Sequence, residues 1–211
     1  MKARVIAAVV LAGWPAVALA QSPKGATYIT DEQVKTINAA PGVDRQIVNV
    51  DIGKLNLAVG IIHRGKSGAP VAAASAPAVA APAAPAEPCG ERTSTGTPAG
   101  TASGIAHDGQ TETYIIVSGG GTLVTGGRIV NGRKSAPESA VTKVLNGPSC
   151  SGPIVGADVV RQVVKTGDII IIPAGVPHGW MEIADHVDYL SVRPDPDRVL
   201  AAGYVNPLIK K

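Results

Sequence analysis

The chain has 211 residues, of which 45% are hydrophobic and 17% charged, which argues against wholesale disorder and allows one domain, or at most two small ones, with a core. Phe is absent and aromatic residues make up only 3% of the sequence, so few side chains could stack on nucleic-acid bases, and a net charge of +3 does not indicate a polyanionic partner. With 25 Gly and 17 Pro, the composition favours a compact, turn-rich β domain and no nucleic-acid partner.

Residues 1–20 have the features of a signal peptide. Lys2 and Arg4 form a basic start, an apolar stretch follows, and Ala18-Leu19-Ala20 places small residues where a signal peptidase requires them. The apolar stretch contains Gly and Pro and is shorter than the roughly 20 residues that span a bilayer. We therefore predict cleavage after Ala20 and a periplasmic or secreted protein with no stable membrane insertion.

Residues 21–43 are predicted to form an N-terminal segment with one short helix. Thr30-Asp31-Glu32-Gln33 has the form of a capping box, apolar residues follow at helical spacing, and Pro41-Gly42 ends the helix. The hydrophobic period then changes to two, which predicts strands at 47–52 and 55–64.

The segment 69–88 contains 11 Ala and 5 Pro, and it differs in kind from the rest of the chain. Repeated Pro disfavours both a helix and a strand ladder, so we expect an extended, mobile Ala/Pro-rich insertion. The alternative is a linker between two domains, but the residues before it supply too few strands for an independent core.

Beyond this insertion, β-branched runs separated by Gly, Asn or Pro predict further short strands. They lie at 112–117, 121–125, 128–130, 158–164, 168–172, 180–183 and 187–192. Two glycine-rich stretches, Gly119–Gly121 and Gly126-Gly127, are interpreted as hairpin turns, and residues 131–156 as a long surface loop. The strands favour one all-β domain, a barrel or sandwich, over residues 44–198, followed by a C-terminal tail at 199–211.

The sequence contains two cysteines, Cys89 and Cys150. In an oxidising compartment a single disulfide between them is the expected state, and two free thiols are the alternative. Closing a loop of about 60 residues would restrict the unfolded chain by about 4 kcal/mol in the entropic treatment.

The most specific local pattern is Gly167-x5-Pro173-x-Gly175-x2-His178. A strand, a tight turn and the start of the next strand would aim one imidazole into the domain interior. This string resembles the second signature of the cupin superfamily, small β-barrels of the jelly-roll type, although Glu182 replaces its usual Asn.

The first cupin signature, Gly-x5-His-x-His-x3-4-Glu-x6-Gly, is matched in its second half by His107, Glu112 and Gly119. Ile105 stands where the first histidine of that signature should fall. The resemblance implies a single cupin-type jelly-roll β-barrel with a short N-terminal helix and the Ala/Pro-rich insertion.

The resemblance also implies a divalent transition metal, Fe, Mn, Zn or Ni, bound by His107, Glu112 and His178. Family members typically use three histidines and one glutamate, so one ligand is missing at Ile105. His63 is a speculative replacement, because it lies on the more apolar face of its strand; the alternative is a hydrogen-bonded core histidine.

Other side chains could contact a ligand. Tyr114 and Trp180 follow Glu112 and His178 by two residues, so each is expected either to line a pocket or to fill the core. Four arginines could bind a substrate carboxylate, although each is more often a solvated surface residue: Arg64, Arg128, Arg161 and Arg193.

Two functions follow from the resemblance. One is a metal-dependent enzyme acting on a small organic molecule, either a dioxygenase-like oxidoreductase or an isomerase. The other is a non-catalytic periplasmic protein that binds a small molecule or serves as a scaffold, with a degenerate metal site. The family analogy also makes a homodimer an open expectation.

Overall fold

The computed structural model describes residues 25–68 and 86–210. The predicted signal peptide, most of the Ala/Pro-rich insertion and the last residue lie outside this range. No helix within it is long and apolar enough to cross a bilayer.

The described part of the chain consists mainly of β-strands. They are β1 Asp44–Asp51, β2 Asn56–Gly65, β3 Pro88–Cys89, β4 Ser103–His107, β5 Glu112–Thr125, β6 Arg128–Ile129, β7 Gly132–Lys134, β8 Ser149–Val155, β9 Val160–Lys165, β10 Ile169–Ile172, β11 His178–Met181, β12 His186–Asp195 and β13 Tyr204–Val205.

The predicted helix is confirmed as α1, Asp31–Asn38, and it begins with the expected capping box. The Thr30 hydroxyl accepts a hydrogen bond from the Gln33 backbone at 3.2 Å, and the Gln33 side chain accepts one from the Thr30 backbone at 3.0 Å. Ile37 of α1 packs against Ile47 and Ile61, so the helix covers the outer face of β1 and β2.

The strands form two antiparallel faces that share β5. Along its first half β5 pairs with β12 and β10, and along its second half it pairs with β9 and β11. The first face continues through β2 and β1 to β13, and the second through β4 and β8 to β7 and β3. This arrangement agrees with the predicted all-β jelly roll, and the sheet does not close into a complete ring.

Gly119–Gly121 is not a hairpin turn, because β5 runs through it. A Cβ atom on Gly119 would lie 2.0 Å from the His186 carbonyl oxygen, and one on Gly120 would lie 2.4 Å from that of Val164. The glycines therefore permit close backbone approach where β5 passes from one face to the other. Gly126 and Gly127 connect β5 to β6, but they do not form the predicted hairpin, because β6 pairs with β8.

The expectation of a long surface loop at 131–156 was wrong. The range contains β7, a short π-helical turn at Val141–Leu145, and β8. β8 lacks strict alternation, yet it is stabilised by pairing with β4, which is distant in the sequence. The disulfide between Cys89 and Cys150 is present, as predicted, and ties β3 to β8.

Two hydrophobic clusters show which strand faces look inward. Ile62 of β2 belongs to the interior cluster with Tyr114 and Tyr189, whereas Ile61 belongs to the cluster under α1. Because side chains alternate along a strand, Arg64 shares the interior face with Ile62, and His63 shares the face of Ile61.

Candidate metal centre

The three side chains predicted to bind a metal come together in the interior. His107 is the last residue of β4, Glu112 the first of β5 and His178 the first of β11, and all three are buried. One ligand atom from each lies within 4.8 Å of the others. The Gly175 backbone donates a hydrogen bond to the His107 carbonyl oxygen at 2.8 Å, so the turn before His178 is attached directly to the end of β4.

One carboxylate oxygen, Glu112 Oε2, is the centre of this His107/Glu112/His178 cluster. His107 Nε2 and His178 Nε2 each lie 2.9 Å from it. The Tyr114 hydroxyl donates a hydrogen bond to the same oxygen, also at 2.9 Å. Two imidazoles, a carboxylate and a phenol thus meet at one buried point.

The orientation of His178 leaves a lone pair facing into the cluster. Its Nδ1 lies 3.0 Å from the Val176 carbonyl oxygen, and because a carbonyl can only accept, Nδ1 carries the hydrogen. Nε2 of the neutral ring is then a bare acceptor. It has no hydrogen-bond partner among the described residues, although Glu112 Oε2 is close.

A buried nitrogen lone pair beside a carboxylate oxygen is unfavourable unless a proton or a cation lies between them. Imidazole nitrogen and carboxylate oxygen are also the ligands that divalent transition metals prefer. The donor atoms of His107, Glu112 and His178 therefore fit a divalent metal ion.

The second oxygen of Glu112 is fixed by β12. Oε1 accepts hydrogen bonds from the Ser191 hydroxyl at 2.7 Å and from Arg193 Nε at 2.6 Å. Arg193 is fully buried and also pairs with Asp44 at 2.7 Å. These bonds anchor one carboxylate oxygen and leave the other facing the imidazoles.

Charge compensation sets the ionisation of this network. Burial alone would raise the pKa of Glu112, but the Arg193 guanidinium and the His107 imidazole, which lies at hydrogen-bond distance, hold the pKa well below its ordinary value. Burial would lower the pKa of Arg193, whereas Asp44 and Glu112 raise it. Both groups are therefore charged at neutral pH.

Arg193 was expected to be a solvated residue, and this was wrong. Its ion pairs with Asp44 and Glu112 compensate the cost of burying the guanidinium. A sequence signal was present, because Arg193 falls on the same face of β12 as Tyr189 and Val187. Arg128 and Arg161 are exposed, as expected.

His63 and Ile105 are the two residues that bear on the histidine absent from the first signature. His63 is not in the cluster: it lies on the face of β2 toward α1, with Nδ1 2.6 Å from Asp188 Oδ1. Ile105 pairs directly with His178 across β4 and β11, and it shares a face of β4 with His107. An aliphatic side chain thus occupies the position where the family signature has a histidine.

The two predicted pocket residues have different surroundings. Tyr114 contacts Glu112 and is buried, and its ring lies 4.3 Å from that of Tyr189. Trp180 donates a hydrogen bond from Nε1 to the Tyr189 hydroxyl at 3.2 Å and lines a cavity of about 570 Å³. None of the three cluster residues lines this cavity. Tyr114, Tyr189 and Trp180 form an aromatic layer that connects the two regions.

Comparisons with known proteins give structural matches alone, because no family model and no curated protein matches the sequence. A conserved protein with a double-stranded β-helix domain from Klebsiella pneumoniae is 17% identical and covers 83% of this chain and 94% of its own, with a TM-score of 0.37. Oxalate oxidase in complex with the substrate analogue glycolate is 11% identical over 75% of this chain and 54% of its own, with a TM-score of 0.31.

A third solved structure, the capsular polysaccharide assembling protein CapF from Staphylococcus aureus, is 13% identical over 76% of this chain and 31% of its own, with a TM-score of 0.29. Function at this level of similarity has to be argued from the site itself.

Proposed function

We propose that this chain is an exported jelly-roll protein that binds a divalent transition metal through His107, Glu112 and His178 and binds or acts on a small organic molecule. The observation that carries the metal proposal is the His178 Nε2 lone pair, buried without a hydrogen bond beside Glu112 Oε2. A bound cation would satisfy both atoms.

A bound metal would supply Lewis-acid activation of a substrate oxygen, or oxygen chemistry if the ion is Fe(II), and this supports dioxygenase-like or isomerase-like reactions. The surrounding residues prepare the site for that role. Arg193 and Ser191 orient the Glu112 carboxylate, and the Val176 carbonyl fixes the tautomer of His178. The Tyr114 hydroxyl donates a hydrogen bond to the oxygen that faces the imidazoles.

The second candidate is a non-catalytic small-molecule-binding or scaffold protein. It is favoured by the ion pair of Glu112 with Arg193, which needs no metal, and by the aliphatic Ile105 beside His178. In that case a proton shared between His178 and Glu112 takes the place of the cation.

Export and self-association belong to the same proposal. The basic, apolar and small-residue pattern of residues 1–20 and the Cys89–Cys150 disulfide support a periplasmic or secreted location. A homodimer is supported by exposed apolar side chains on the outer faces of β9 and β10, namely Val163, Ile169 and Ile171.

Metal binding by the purified protein tests the first candidate against the second. Elemental analysis and calorimetric titration with Fe(II), Mn(II), Zn(II) and Ni(II) should show one ion per chain. Affinity should fall by about 100-fold or more in His107→Ala and His178→Ala, because each removes a ligand.

His63→Ala is the matched control, since it removes an imidazole outside the cluster and should bind metal as the parent does. A native protein that takes up none of these ions, with thermal stability unchanged by chelator, would instead establish the scaffold candidate. Equal metal loss in all three variants would contradict the proposed ligand set.

A further inference from the structure

The cavity beyond the aromatic layer has the size of a small-ligand site. Its volume of about 570 Å³ falls within the range typical of such pockets. Its wall includes Arg64, Lys66, Ser103, Trp180 and Glu182. Because no residue of the metal cluster lines it, the cavity can be considered separately from the metal.

Arg64 is a half-buried cation that forms no salt bridge in the described part of the chain. It lies on the same face of β2 as Ile62, and its Nε donates a hydrogen bond to the Tyr189 hydroxyl at 3.1 Å. Among the described residues, its two terminal nitrogens make no hydrogen bond, and no carboxylate oxygen lies within 4.0 Å of them. Arg193, the other interior arginine, has two carboxylate partners.

The wall of the cavity carries more positive than negative charge. Lys66, like Arg64, has no carboxylate oxygen within 4.0 Å in the described part of the chain. The single acidic residue in the described wall is Glu182, and one of its oxygens accepts a hydrogen bond from the Thr122 hydroxyl. His63, which also borders the cavity, is paired with Asp188.

Trp180 adds a flat apolar surface to this wall. Its indole nitrogen is held by the Tyr189 hydroxyl, which also accepts the hydrogen bond from Arg64. Tyr189 thus positions both the guanidinium and the indole ring. A planar cation beside a fixed aromatic ring suits a ligand with a charged end and a flat apolar body.

We propose that this cavity binds a small organic carboxylate with a planar apolar body, in which Arg64 forms a bidentate ion pair with the carboxylate and Trp180 packs against the body. The site goes beyond the proposed metal function, because none of its residues is a metal ligand. Binding should therefore persist when metal is absent.

Benzoate is the probe, and benzamide is its uncharged counterpart of the same shape. Trp14 lies in the predicted signal peptide, so Trp180 is the only tryptophan of the chain that begins at Gln21, and titration of that chain with benzoate should show a change in tryptophan fluorescence. Benzamide should bind at least about 10-fold more weakly, a difference of about 1.4 kcal/mol. Excess EDTA should leave the benzoate titration unchanged, which separates this result from the outcome of the metal experiment.

Arg64→Met should weaken benzoate binding at least about 10-fold, whereas Arg161→Met, which removes an exposed arginine from β9, should leave it unchanged. Arg64→Lys keeps the charge and should bind more weakly than the parent, because it loses the bidentate geometry. Circular dichroism melting of each variant confirms that it is folded under the conditions of the titration.

Three results would overturn the proposal. The first is equal affinity for benzoate and benzamide, or no binding of benzoate up to about 10 mM, which is weaker than ordinary ligand affinities. The second is equal loss in Arg64→Met and Arg161→Met. The third is inorganic phosphate binding more tightly than benzoate in an Arg64-dependent manner, which would assign the site to phosphate.

Discussion

The His107/Glu112/His178 cluster and the Arg64 cavity lie on either side of the aromatic layer, and their charged groups have opposite surroundings. At the cluster, the Glu112 carboxylate is surrounded by donors, including the fully buried Arg193. At the cavity, the Arg64 guanidinium makes one hydrogen bond to the described residues, and its partner is the uncharged Tyr189 hydroxyl.

The difference indicates what each region can accept. In the cluster, two buried imidazole nitrogens, His107 Nδ1 and His178 Nε2, have no hydrogen-bond partner among the described residues, and the one beside Glu112 suits a cation. In the cavity, the terminal N–H donors of Arg64 have no protein partner among the described residues and remain open to an anion. A buried arginine is thus a structural anchor where carboxylates surround it and a candidate ligand contact where they do not.

Substitution of Arg193 should have the largest effect on the free energy of unfolding. Arg193→Met would leave Glu112 and Asp44 without their shared cation, and we expect unfolding free energy to fall by about 3–5 kcal/mol in chemical denaturation. Arg128→Met, which breaks an exposed pair with Glu91, should cost about 1 kcal/mol or less. Similar losses in the two variants would mean that Arg193 is not the anchor of the cluster.

A substitution in the aromatic layer should reduce stability by less than Arg193→Met does. Tyr114→Phe keeps the ring against Tyr189 but removes the hydroxyl that donates to Glu112, so stability should fall by about 1.5–3 kcal/mol. Tyr28→Phe removes a hydroxyl from a residue that is 85% exposed and should be neutral. Thermal denaturation of both variants compares them, and an unchanged Tyr114→Phe protein would show that Glu112 does not depend on this hydrogen bond.

The comparison can be sharpened by adding a further side chain that could bind a metal ion to the cluster. Ile105→His would place an imidazole on the interior face beside His178, and metal affinity should rise by about 10-fold, or about 1.4 kcal/mol. Ala106→His is the control, because it puts the same side chain on the opposite face of β4. Calorimetric metal titration distinguishes the two; an equal affinity in both would place the vacant ligand position elsewhere. Benzoate binding at Arg64 should be unaffected by either change.

The donor set was predictable from the sequence because its residues are positioned by local features. His107 and Glu112 flank one short connection, and His178 follows a tight Pro-Ala-Gly turn. The resemblance of these two strings to the cupin signatures is what indicated that the three residues associate. Fold class and the capping box of α1 were accessible for the same reason.

The supporting network was not predictable in this way, because it depends on contacts between distant segments. Arg193 bonds to Glu112 and Asp44, which precede it by 81 and 149 residues. Alternation along β12 indicates the face on which Arg193 lies, but the carboxylates that it meets follow from the register of β12 against β5 and β2, which no local pattern specifies.

Strand β2 shows a second limit of sequence patterns. Its more apolar face, which carries Ile61 and His63, packs toward α1, and the less apolar face with Arg64 looks into the interior. Because the helix covers the outer surface, both faces are buried along part of the strand. Hydrophobicity alone therefore pointed His63 in the wrong direction and gave no reason to place Arg64, rather than any of the other three candidate arginines, on the interior face of its strand.

The glycine-lined bend of β5 has a consequence for how this site can change over evolution. β5 carries Glu112 at one end, while its other end pairs with β11 so that Thr125 lies opposite His178. The curvature at Gly119–Gly121 thereby sets the spacing between the carboxylate and the imidazole from a distance. Because a Cβ atom at Gly119 or Gly120 would clash with the backbone of neighbouring strands, mutations there would shift the cluster residues relative to one another without altering any of their side chains.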